Sequence, residues 1–186
     1  MMPEARTKLL RLAGLLSARN LIDGEIAAII QRPALSGHIG EFIASIVFDI
    51  ELAGSATQAG HDGRFSDGPL AGKTANIKCY AKREGLLDIN ERHVPDCYFV
   101  LTGSMSALMT SKDGTRPFMV EEVFLFHADS LIAEQRARGV QIGVASSVPT
   151  RFWEAARVFP TAPQSPLILS QEQTDVLQLF RDLIRA

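Results

Sequence analysis

The run from His61 to Lys82 is where this chain gathers residues able to do chemistry. Asp62 stands beside Gly63, and a glycine-punctuated loop then leads into residues 73–81, where polar and apolar side chains alternate. With a period of two, Ala75, Ile77, Cys79 and Ala81 face one way while Asn76, Lys78, Tyr80 and Lys82 face the other. Asn76 follows Asp62 by 14 residues, enough chain to turn a hairpin and bring the acid alongside Lys78. A carboxylate beside an ammonium can hold a hard cation and an anionic oxygen, so the segment reads as a catalytic cleft.

The flanking sequence must supply the elements that hold this pair. Residues 3–17 repeat Leu9, Leu10, Ala13 and Leu16 at helical spacing and predict a lead-in helix with Pro3 near its start. A second helix is expected over 21–31, stopped before Pro33. The Pro33–Gly37 turn gives it the outline of a helix-turn-helix, although such pairs are usually packing elements. A third helix over 38–48 turns Phe42, Ile43, Ile46 and Val47 toward a core and carries Glu41 near its first turn. Downstream, strands are expected over 97–101, 116–126 and 140–144, and helices over 127–138 and 150–158, the latter opened by Thr150. A C-terminal helix over 170–185 starts with Ser170 and Gln173 at capping-box spacing. The expected fold is one α/β domain with a central mixed β-sheet flanked by helices. Residues 1–34 form its helical lead-in, 35–160 its core and 161–186 a helix packed on that core.

The order of helix acid Glu41, the Asp62-Gly63 turn, the strand triplet Asn76-Ile77-Lys78 and a following apolar strand resembles the PD-(D/E)xK nucleases. That family places an acid on one strand and an acid-x-lysine triplet on the next; the second acid is Glu or Asp, sometimes Gln, where this chain has Asn76. The stretch from Gly37-His38-Ile39-Gly40-Glu41 through Ile77-Lys78 to Pro95-Asp96-Cys97-Tyr98-Phe99-Val100-Leu101-Thr102-Gly103 is also similar to an uncharacterised bacterial family with the restriction-endonuclease-like fold. This likeness spans roughly residues 35–160. It implies that Asp62, Lys78, Glu41 and Asn76 form a catalytic group hydrolysing DNA phosphodiester bonds with Mg²⁺ or Mn²⁺. It further implies a homodimer and, in a restriction setting, a DNA methyltransferase partner.

Hard divalent cations prefer carboxylate oxygens and keep several waters. Asp62 is the first choice of direct ligand, with Glu41 adding a carboxylate directly or through water. The Asn76 amide oxygen and the Ile77 backbone carbonyl complete the expected set. Lys78 would orient the attacking water or stabilise charge building on phosphorus. Arg64, Lys82 and Arg83 flank the same face and could contact phosphates. Replacing a carboxylate by Asn76 removes a unit charge beside a divalent ion, on the order of several kcal/mol before desolvation is credited, so the cation should bind weakly. Asp67 could compensate, but Ser66-Asp67-Gly68-Pro69 is also an ordinary turn.

Each residue has a plainer reading. Asp62-Gly63 suits a turn, Glu41 suits a helix N-terminus, and a lysine on a polar strand face is usually solvated. The alternative function is therefore a nuclease fold that does not cut and binds nucleic acid or a protein partner. A net charge of −2 excludes a wholesale basic surface, so any DNA contact must come from a local patch. The only cysteines, Cys79 and Cys97, fall in apolar strand-like runs and read as buried thiols of a reducing compartment. With no apolar run of membrane-span length and no signal-like start, the expectation is a cytoplasmic protein. His38, His61, His93 and His127 are too scattered for a triad, and no phosphate-binding glycine loop or dinucleotide fingerprint occurs.

Overall fold

The computed structural model describes residues 3–54, 60–105, 117–160, 165 and 167–183. Along the chain its elements are α1 (Pro3–Ile30), α2 (Ser36–Val47), β1 (Ile50–Leu52), β2 (Gly63–Phe65), β3 (Thr74–Tyr80), β4 (Leu86–Leu87), β5 (Cys97–Thr102), β6 (Glu122–His127), α3 (Ala128–Ala137), β7 (Ser146–Ser147), α4 (Thr150–Ala156), β8 (Arg157–Phe159) and α5 (Gln171–Arg181). Six strands form one sheet in the order β1-β2-β3-β5-β6-β8, with β4 and β7 as a separate ribbon. Of the sheet's pairs, β3 and β5 run parallel and the rest antiparallel, so the sheet is mixed. The expected α/β class with helices flanking a central mixed sheet is what the chain adopts.

The alternation in β3 decides which side of the sheet each residue serves. Ala75 and Ile77 join Phe99, Leu101, Val123 and Leu125 in a core covered by α2 and α5. On the other face Tyr98, Val100, Phe124 and Phe126 pack with α3, α4 and the ribbon around Trp153. All six residues of β5 are buried, which is why its sequence is a continuous apolar run rather than an alternating one. Helix α2 lies so close to β3 that a Cβ on Gly40 would stand 2.5 Å from the Cys79 Cβ. Cys79 and Cys97 sit on neighbouring strands as free thiols, and burial pushes them up to about 12 and about 11.

Several boundaries differ from the sequence reading. The two helices expected over 3–17 and 21–31 are one, α1, because Ala18, Arg19 and Asn20 contain no breaker. Pairs one turn apart, Lys8 with Glu4 (2.6 Å) and Arg19 with Asp23 (3.3 Å), support it. The strand expected over 140–144 is irregular backbone: Ala145 takes φ +56° and Val144 is 90% exposed, and the short strand forms two residues later as β7. The helix expected over 150–158 ends at Ala156, and Arg157, Val158 and Phe159 instead pair with β6 as an edge strand. Thr150 is its first residue, not its cap, which is Pro149. The strand expected over 116–126 begins at Glu122, residue 116 and most of the 160–166 connector lying outside the described residues. The capping box of α5 is present, with Ser170 Oγ accepting from Gln173 N (3.1 Å) and Gln173 Oε1 accepting from Ser170 N (2.8 Å). Gln173 Nε2 also donates to Val47 O (2.6 Å), fastening α5 to the end of α2.

The parallel β3/β5 pair is stapled at its start by Asp96. Its carboxylate accepts from Thr74 N (2.8 Å), Thr74 Oγ1 (2.8 Å) and Lys73 Nζ (3.0 Å). These bonds, the Thr74 backbone donor first, hold the Asp96 carboxyl down at about 2, below the usual 3.8. A depressed carboxyl stabilises the fold above the unfolded value and loses that contribution as pH falls from about 4 through about 2. Melting temperature followed across that window should therefore drop more steeply in the wild type than in Asp96→Asn, which is weaker at neutral pH; parallel profiles would show that Asp96 carries no acid-sensitive stability.

Candidate functional site

The geometry centres on the seam between β2 and β3. The register Gly63↔Ala75 and Arg64↔Thr74 sets Asp62, one residue before β2, across from Asn76. Asp62 is fixed through its backbone, N donating to Ala75 O (2.8 Å) and O accepting from Ala53 N (2.8 Å). Because β2 begins at Gly63, β3 outruns its neighbour beyond Asn76. Asp62 Oδ2 takes the next ladder donor, accepting from Ile77 N at 2.6 Å. The N–H and C=O of a strand residue point to the same edge, so the Ile77 carbonyl is directed toward this acid as well. Lys78 follows Asn76 along the strand, on the polar row that Asn76 begins.

Asn76 is the least satisfied group here. Its Nδ2 lies 3.5 Å from Gly60 O, a weak contact, and its Oδ1 is buried without a hydrogen-bond partner among the described residues. A buried amide oxygen left unpaired costs about 1–3 kcal/mol, so such an atom is an unusual thing for a sequence to keep. Gly60 shapes the turn that carries Asp62: φ is +100°, and a Cβ there would stand 2.5 Å from the His93 Cβ. His93 belongs to the crossover from β3 to β5. That crossover is pinned over the same face by two tyrosines. Tyr80 Oη accepts from Asp88 N (3.1 Å) and donates to Asp88 Oδ2 (3.3 Å), while Tyr98 Oη accepts from Asn90 N (3.0 Å). Asn76 thus lies by the Gly60–Asp62 turn, which meets the crossover at His93, and Lys78 follows it on the same row of β3.

Other expected members stand elsewhere. Glu41 is on α2, which covers the Ala75 and Ile77 face, and its carboxylate is engaged by Arg32 in a largely buried ion pair. The contact seen for Glu41 is thus to the segment after α1, and among the described residues none is seen to Asp62 or Lys78. Arg83 is buried against Glu122 (2.8 Å) and over the Phe124 ring, and Lys82 pairs with Glu84, so neither is free to meet phosphate as expected. Arg64 is exposed and donates to Gly72 O. Asp67 follows the turn reading, its carboxylate accepting from Gly68 N (2.7 Å). Sequence reasoning missed Arg32, Asp88 and His93, whose roles depend on contacts between separate segments that no local pattern announces.

No protein-family model and no curated protein matches this chain. What the site can do must then be judged from its own donors. Among the described residues, no group of three or more His, Cys, Asp and Glu side chains is placed to hold a metal ion. What the seam offers instead is one carboxylate, on Asp62, with the unpaired amide oxygen of Asn76 and the Ile77 carbonyl on the facing strand. Oxygen donors of low total charge fit a hard cation that keeps most of its waters or shares a substrate's phosphate oxygens, and do not fit a tightly held resident metal.

Proposed function

We propose that the β2–β3 seam binds a phosphodiester together with a weakly held Mg²⁺ or Mn²⁺ and hydrolyses it, DNA being the substrate class. The observation that carries this reading is the buried, unpaired Oδ1 of Asn76, the residue in register with Asp62, with Lys78 following on the same row. A divalent cation, when bound, would supply a more acidic water and neutralise charge on the phosphate. Asp62 and Asn76 would hold it, and the Asp62 bond to Ile77 N fixes the carboxylate in place. Lys78 contributes a positive charge to the reacting phosphoryl oxygens.

A non-cutting binding module is the second reading. Two observations favour it: the neutral Asn76 where the resembled family carries an acid, and the engagement of Glu41 by Arg32. Cation affinity tests the site directly. Asn76→Glu restores a charged oxygen at that position and should tighten Mn²⁺ binding about tenfold or more, since two opposite charges near 4 Å gain about 4 kcal/mol at an effective dielectric near 20 before desolvation. Calorimetric titration of the two proteins decides the point; unchanged affinity in a folded variant removes Asn76 from the cation's surroundings.

A further inference from the structure

The parallel strands β3 and β5 end together at Tyr80 and Thr102, and a few residues beyond them stand Arg83 and Met105. Arg83 N donates to Ser104 O (3.3 Å), so the two chain exits run side by side. Open α/β sheets take ligands outside the carboxyl ends of their strands. Here a cavity of about 400 Å³ opens past those ends, lined by Arg83, Glu84, Leu86, Met105, Thr150 and Trp153. Its size falls in the roughly 300–1,000 Å³ range of small-molecule sites, and Leu86, Met105 and Trp153 give it the apolar walls that such sites have.

The charged groups at this end do not balance. Glu122 meets both Arg83 (2.8 Å) and Arg157 (3.4 Å), so one carboxylate answers two guanidiniums, while Lys82 and Glu84 offset each other. Three of the four buried side-chain polar atoms without a hydrogen-bond partner among the described residues belong to this cluster. They are Arg83 Nε and Arg157 Nε, both near Glu122 but not aligned for a hydrogen bond, and Thr102 Oγ1, across the sheet from Glu122. The Arg83 side chain is only 9% exposed, and its Nη2 donates to the Met105 sulfur (3.1 Å), a weak acceptor for a charged donor. A buried cation so poorly met is costly unless a further anion completes its surroundings. Burial and the ion pair keep this guanidinium from the duplex phosphate expected of it, but a small molecule inside the cavity can reach it. We propose that the cavity binds a small organic anion, a phosphate monoester or carboxylate carried on an apolar body, with its oxygens on Arg83 and its body against Leu86 and Trp153. The site lies beyond Tyr80, past Asn76 and Lys78 of the seam, and does not depend on the phosphodiester reading.

Trp153 is the chain's only tryptophan and lines the cavity, so its fluorescence reports occupancy. Titration of the full chain with phenyl phosphate and with benzoate should change that emission saturably for at least one of them, the tighter binder fixing the head group. Uncharged benzyl alcohol should bind at least about tenfold more weakly, the scale of a lost charge-assisted hydrogen bond, and so should inorganic phosphate, which lacks the apolar body. Arg83→Met keeps the bulk of the stem and leaves Arg157 beside Glu122; it should bring the anion down to the affinity of the alcohol, whose own binding stays unchanged. Because anion and alcohol are compared within one protein, lost stability does not mimic this result. Where Arg83→Met does not fold, Arg83→Lys, which keeps the charge but not the planar fork, should weaken the anion severalfold and spare the alcohol. No saturable response to either aryl anion overturns the proposal, as does equal affinity for the alcohol, or an anion affinity unchanged in the folded Arg83 variant. Inorganic phosphate binding as tightly as phenyl phosphate overturns the organic ligand.

Discussion

Lys78→Ala is expected to lower cation-dependent DNA cleavage by a factor of about 10² or more, the scale lost when one preorganised charge is removed from a developing oxyanion. Asp62→Asn should do the same by removing the carboxylate held at the seam. Neither change should unfold the protein. Lys78 lies on a half-exposed row of β3. In Asp62→Asn the new side-chain amide oxygen can still accept from Ile77 N, the bond that the carboxylate makes at 2.6 Å. Asp62→Ala is the poorer variant: it orphans that N–H at a cost of about 1–3 kcal/mol and confuses lost chemistry with lost structure. Cleavage rates that fall together with the melting temperature would signify a structural role for both residues. Rates that fall in a protein of unchanged stability are the expected outcome.

Gly103→Ala should be severely destabilising. Gly103 N donates to Tyr80 O (2.9 Å), extending the contact between the parallel strands past their ends, and a Cβ there would stand 2.1 Å from Ala81 O and 2.8 Å from Ala81 C. Backbone cannot swing aside as a flexible side chain can. Steric insertion of this kind costs about 3 kcal/mol, at the upper end of overpacking penalties, and for a chain of this size that lowers the melting temperature by about 6–12 °C. Thermal unfolding of the purified variant measures it; a drop under about 2 °C would mean that β3 and β5 separate easily at this end.

The same strands show how far the sequence could be read. The period-two face of β3, the buried run of β5 and the Ser170–Gln173 cap are local patterns, and each appears in the fold close to where the residues place it. Edge strand β8 was hidden because Arg157, Val158 and Phe159 continue the apolar spacing of the helix before them; pairing with β6, a tertiary event, ends that helix. The hairpin that brings Asp62 to β3 was legible from chain length and turn glycines, but the register sets the acid across from Asn76, two residues short of the Lys78 expected beside it. The fate of the charges was not legible. Arg32 engaging Glu41, Glu122 engaging Arg83 and Glu84 engaging Lys82 all depend on how side chains meet after folding, and they withdraw three residues that look available in the sequence.

The most direct measurement is the conversion of supercoiled plasmid by the purified wild-type protein in Mg²⁺ or Mn²⁺, beside one arm containing a chelator and one containing Asp62→Asn. The account predicts nicked or linear product with the cation, none with the chelator and none with the variant. Absence of product in every arm, or product that persists in chelator or with Asp62→Asn, contradicts a cation-dependent phosphodiester site at the β2–β3 seam.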